Sequence, residues 1–143
     1  MFLKFPGRRP KTLGVHDGRL AECPNKPNCV CSVSPGTVPD DANPHHVHPL
    51  TYESDAGKAW QRLIKVLEAE PNAEIISRSG SYLHAEFTST GLGFVDDVEF
   101  HLRESEQRIH VRSASRLGVF GFRRQPPARG APARGFRRHP IGW

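Results

Sequence analysis

All three cysteines of the chain fall within nine positions, in the stretch CPNKPNCVCS at 23–32. Thiols can ligate a metal, exchange electrons or form a staple, and the spacing bears differently on each. Cys23 and Cys29 enclose five residues, whereas paired zinc cysteines are usually separated by two to four and need a second pair. No second cysteine pair exists, so His16, His45, His46 and His48 would have to complete a shell. Redox chemistry of the thioredoxin type uses C-x-x-C at a helix start. Here the close pair is Cys29-x-Cys31, among prolines that forbid a helix. A Cys23–Cys29 disulfide is the first expectation, with stabilisation of about 2 kcal/mol for so short a loop. It requires an oxidising compartment; in a reducing one the thiols stay inert. Neither a metal site nor a cofactor is expected.

A second candidate is the acidic run GFVDDVEF at 93–100, where Asp96 and Asp97 stand mid-strand although aspartate is disfavoured there. Strand alternation places Asp97, Glu99 and His101 opposite Val98 and Phe100. A meander would add His84 and Glu86 from the preceding strand and His110 and Arg112 from the following one. Glu86, Asp97, Glu99 and Arg112 then lie within cross-strand reach, with Ser115 and Arg116 just past the strand end. These residues, Arg116 included, form the candidate ligand-binding set. A solvated polar face would carry ion pairs of little energy. The sharper alternative is a charged pocket in which Arg112 and Arg116 hold an anion or a paired carboxylate network. Two carboxylates and an arginine can also perform acid–base work. No catalytic residue is assigned: neither Ser113 nor Ser115 lies in a Gly-x-Ser-x-Gly elbow. His16-Asp17-Gly18 reads as a turn, and Gly91 and Gly93 in TGLGF read as a bend with no helix following.

The elements that must position these groups follow from periodicity. Ala56, Trp60, Leu63, Ile64 and Leu67 share one helical face, with Ser54 or Asp55 as cap and Pro71-Asn72 as the stop. Four strands follow, at 74–78, 82–88, 95–103 and 108–114, the first two joined through Ser79-Gly80-Ser81. Residues 13–53 hold six prolines and no sustained period, and read as a loop wrapping the domain. The expected fold is α+β: a mainly antiparallel sheet of about four strands with one amphipathic helix on one face. Residues 1–12 read as a flexible basic arm, 13–118 as the domain and 119–143 as a disordered tail rich in arginine, proline and glycine.

The net charge of +5 belongs to the tail. Residues 119–143 hold six arginines and no acid, and without them 14 basic residues face 15 acidic ones. A basic tail can bind polyanions without specificity, but no specific nucleic-acid partner is expected. No apolar run approaches the roughly 20 residues of a membrane span. Pro6, Arg8, Arg9 and Pro10 interrupt any signal-peptide core, so the default expectation is the cytoplasm.

The combination LGVHDGRLAECPNKPNCVCS, YLHAEFTST, GFVDDVEF and IHVRSASRLG resembles domain-of-unknown-function family 1499, found in bacteria and plastids, over about residues 13–118. The resemblance implies a fold and a set of positions but no reaction. Its members often carry envelope-directed N-termini, which favours the staple and offers the cell envelope or periplasm as the alternative location. The family usually has Ser where this chain has Cys31. It usually continues after Ser-Arg-Leu-Gly into Tyr-Ser-Asp-x-Gly-x-Asn-Arg-x-Arg and a helix, whereas this chain reads VFGFRRQPPARG. Arg-Arg-Gln-Pro-Pro at 123–127 is what GC-rich codons for Gly-Val-Asn-Arg-Arg give when read one base early, so a frame-shifted tail is expected. The functional expectation is a non-enzymatic binding or structural module, with an unidentified ligand or protein partner, using the charged sheet face. The alternatives are a metal-linked hydrolytic enzyme built on Glu86, Asp97 and the histidines, and polyanion binding through the tail.

Overall fold

The computed structural model describes residues 9–24, 28–33, 42–89 and 93–116. The tail expected to be disordered and its frame-shift reading, and most of the N-terminal arm, lie outside the described residues.

The single helix of the described residues, α1 (Ala56–Ala69), begins where Asp55 stays extended and its Oδ2 accepts the Lys58 N–H at 3.1 Å. That bond satisfies one of the donors a helix start leaves open. The chain turns extended again at Glu70, just before Pro71. Ala59, Trp60, Leu63, Ile64 and Leu67 are buried. Trp60, Leu63, Ile64 and Leu67 pack with Leu83, Ala85, Val98, Phe100, Leu102, Ile109 and Val111 in the main core.

Those partners come from a meander of four long strands, β5 (Ala73–Arg78), β6 (Tyr82–Thr88), β7 (Val95–Arg103) and β8 (Arg108–Ser115). Every pairing among them is antiparallel. The alternation of apolar residues in β6, β7 and β8 puts one face of the sheet against α1, as expected from the sequence.

The expectation of about four strands is corrected. Two short strands, β3 (Cys29–Cys31) and β4 (Leu50–Thr51), both pair with β8 on the side away from β7, so the main sheet has six strands in the order β3-β8-β7-β6-β5 with β4 beside β8. A separate ladder of β1 (Val15–His16) and β2 (Arg19–Leu20) brings the described strands to eight. Strands of two or three residues cannot display a period of two. Their state is set by the β8 backbone groups they satisfy, not by a pattern of their own. The segment expected as a wrapping loop thus supplies four strands.

Asp17 (φ 53°) and Gly18 (φ 81°) form the tight turn between β1 and β2. Two successive positive φ values match the twist of a two-residue hairpin, which is why Asp-Gly occurs there. The hairpin belongs to an N-terminal strap, residues 9–24, that lies over the sheet face opposite α1. Leu20 is its anchor, 1 % exposed and packed with Cys31, Val33, Cys23 and Tyr82 in a second, smaller core. Burying a leucine to that degree contributes about 2 kcal/mol. The Cys23–Cys29 disulfide, with Cα atoms 5.6 Å apart, ties the strap to β3.

Candidate functional site

The register brings the polar side chains of the meander onto one face. Glu86 stands opposite Asp97, His84 opposite Glu99, and Glu99 opposite Arg112. Arg116 follows the last residue of β8, its N–H donating to the Val95 carbonyl at 3.0 Å, which directs its side chain back over Asp97. All five expected residues are therefore brought together, and the solvated-face reading is overturned. Asp97 and Glu99 are fully buried, Arg112 is 4 % exposed and Glu86 6 %. The cover is the strap, which the sequence pattern does not mark as packed.

The centre is a chain of charge-assisted bonds. Arg116 grips Asp97 with two parallel donors, Nε to Oδ2 and Nη2 to Oδ1, both at 2.8 Å. The same Nη2 donates to Glu86 Oε2 at 2.6 Å. From the strap, Arg9 donates to that oxygen through Nη2 at 2.7 Å and Nε at 3.1 Å. His84, 3 % exposed, donates from Nε2 to Asp97 Oδ1 at 2.9 Å. Two guanidinium charges thus meet two carboxylates. Burial acts against the charge on Asp97, and the hydrogen bonds from Arg116 and His84 outweigh it, holding the carboxyl below its usual range. Glu86 is likewise burdened by burial and held low by Arg9 and Arg116. Hydrogen bonding to Asp97, against the opposing effect of burial, pushes Arg116 above its usual value.

Glu99 forms the second knot. Its Oε2 accepts from the Tyr82 hydroxyl and from the Gly14 N–H, each at 2.7 Å. Gly14 holds φ at 108°, a region L side chains rarely adopt, and this conformation aims its amide at the carboxylate. Burial, then the hydrogen bond to Glu99, pushes the Tyr82 phenol upward. Arg112 Nη1 lies 3.5 Å from Glu99 Oε1, an ion pair without a hydrogen bond.

His84, Glu86 and Asp97 offer ligand atoms within 4.8 Å of one another, a donor set of one imidazole and two carboxylates. It does not fit a cation as it stands. Arg116 holds both Asp97 oxygens and one of Glu86, and a divalent ion beside that guanidinium would meet its charge at close range. A ligand set built on Cys23 and Cys29 is overturned too, since the disulfide removes both thiolates. His45 Nδ1 bonds the Cys29 carbonyl at 3.0 Å, and His46 and His48 stack edge to face with centroids 5.5 Å apart. Cys31 is free and buried, and burial pushes its thiol up, against the requirements of a reactive thiolate.

Sequence reasoning missed Arg9, Gly14 and Tyr82 as members of the network. A usable signal existed: the four long strands contain no lysine, although their exposed-looking face carries acids, arginines and histidines. Lysine is the cation that resists burial most, whereas arginine and histidine are retained in buried pairs.

Among the described residues, no helix is long and apolar enough to cross a membrane. Comparison with curated proteins and with solved structures returns no match. A family model described as "Protein of unknown function (DUF1499)" matches residues 19–125, from β2 through the meander and into the start of the arginine-rich tail. The chain belongs to that family.

Proposed function

We propose that the charged sheet face is a structural device, non-catalytic in itself, which fastens the N-terminal strap to the sheet and so builds the surface the domain presents to a partner. The observation that carries this reading is the double use of Glu86 Oε2, which accepts from Arg116 on the sheet and from Arg9 on the strap. Gly14 on Glu99 and the Cys23–Cys29 disulfide add two further ties along the same segment. The hydrolytic alternative built on Glu86, Asp97 and His84 is disfavoured because each carboxylate is already committed to an arginine. A general base needs a free lone pair directed at substrate. The disulfide favours an oxidising compartment as the working location, which agrees with the envelope alternative and not with the cytoplasmic default.

Hydrogen exchange followed by mass spectrometry tests the reading. Peptides covering 13–20 are expected to be protected in the oxidised protein. Double replacement Cys23→Ser/Cys29→Ser together with Arg9→Ala is expected to release that protection while β6, β7 and β8 keep theirs. Loss of protection throughout the sheet, or an unchanged strap, would contradict it.

A further inference from the structure

The outer edge of β8 carries a second polar array that shares no residue with the charged network. Ser32, directly after β3, is 4 % exposed, and its Oγ lies 2.9 Å from His110 Nδ1. On the other side of the ring, His110 Nε2 lies 2.9 Å from Glu106 Oε1. Glu106 is fixed from behind by Arg103, whose Nε is 3.0 Å from its Oε2. The hydrogen bond from His110, assisted by Arg103 and against slight burial, holds Glu106 below its usual pKa and therefore ionised.

In the neutral ring these contacts select one tautomer. A carboxylate can only accept, so Nε2 carries the imidazole hydrogen and Nδ1 presents its lone pair to Ser32. The Ser32 hydroxyl has two acceptors in reach, His110 Nδ1 at 2.9 Å and the Val111 carbonyl at 3.4 Å, and the nearer one is the base. The local fold holds this geometry from both sides. A 3-10 turn (Glu104–Glu106) and Gln107 in the left-handed region (φ 52°) reverse the chain at the hairpin tip, returning Glu106 beside His110. One backbone bond and one side-chain bond lock Ser32 to β8: its N–H donates to the Val111 carbonyl at 2.8 Å, and its Oγ accepts the Val111 N–H at 2.9 Å.

We propose that Ser32, His110 and Glu106 form a nucleophile–base–orienter site able to cleave small acyl esters. The logic of such sites is the mutual geometry of the three groups, not their order in the chain. In the first step Ser32 Oγ adds to the acyl carbonyl and its proton passes to His110 Nδ1. As the carbonyl re-forms, the bond to the leaving oxygen breaks and that oxygen takes the proton from Nδ1. Water then attacks the acyl-serine, gives a proton to Nδ1, and releases the acid while Ser32 regains its hydrogen. Glu106 is a positioning residue: it keeps the ring oriented and balances the imidazolium charge. The near-complete burial of Ser32 restricts the substrate to small acyl groups, and the Val111 N–H on Oγ tempers its nucleophilicity. This goes beyond the structural reading of the charged face and does not depend on it.

The full-length oxidised protein is treated with a fluorophosphonate bearing short alkyl groups, which bonds to an activated serine oxygen with loss of fluoride. Peptide mass spectrometry is expected to place the adduct on Ser32 and to find none in Ser32→Ala. His110→Ala is expected to slow labelling by about 100-fold, the lower range for loss of a general base. Glu106→Gln, at a partly exposed turn position, is expected to keep the fold, to slow labelling less and to shift its pH midpoint. His101, Arg103, Arg108 and Glu104 stay unchanged in that comparison, so the shift reports the replaced carboxylate. An unlabelled wild-type protein, an adduct elsewhere, or a Ser32 adduct forming equally fast in natively folded His110→Ala and Glu106→Gln would overturn the proposal.

Discussion

Asp97 has no contact with solvent, yet it carries charge because Arg116 supplies two donors and His84 a third. The stability of such a group depends on pH in a defined direction. Asp97 and Glu86 have pKa values below their ordinary ones of 3.8 and 4.5, so the unfolded chain binds protons first as pH falls. Their contribution is fully present above the unfolded values and is lost as pH drops through the folded ones. Urea midpoints are therefore expected to hold between about pH 5 and 7 as far as these groups act, and to fall steadily below about pH 4.5. Arg9 belongs to the same network, but its side chain is 54 % exposed. Arg9→Ala is expected to cost less than about 1 kcal/mol in urea denaturation, as exposed pairs do.

At the scale of elements, legibility tracks length. The helix and four long strands were readable because each repeats its pattern often enough to register, and the Asp-Gly turn because its conformation favours those two residue types. β3 and β4 were not, since Cys29–Cys31 and Leu50–Thr51 acquire strand character only from β8. Glu86, Asp97, Glu99 and Arg112 were legible from alternation, and Arg116 from its place just past the last strand. Their burial was not, because the strap that covers them anchors through Leu20 and backbone or long-range polar bonds. Ser32 and His110 lie 78 residues apart and had no shared signal beyond the Glu106-x-x-x-His110 spacing. Two replacements test the elements as described. Asp55→Ala removes the cap of α1 and is expected to lower stability by about 1 kcal/mol in urea. Gly18→Ala at φ 81° is expected to cost about 1 kcal/mol and to loosen the β1–β2 hairpin without disturbing α1, as read by amide exchange.

The described residues form a sheet with a different core on each face, one apolar under α1 and one under the strap where the charged network lies beside the small Leu20 cluster. The disulfide contributes to the second by restraining the unfolded chain, and reducing it is expected to remove roughly 2 kcal/mol of stability. The claim that unites strap, network and disulfide is that the charged face is buried and internally paired. A double-mutant cycle on Arg116→Met and Asp97→Asn, followed by urea denaturation, measures it most directly. Arg116→Met leaves Asp97 and Glu86 buried beside lost partners and is expected to cost about 3–5 kcal/mol, with Asp97→Asn also destabilising. The double mutant is expected to lose clearly less than the two single losses combined, by a coupling of about 1–3 kcal/mol. Single losses below about 0.5 kcal/mol with additive behaviour would show a solvated face, and would contradict the account.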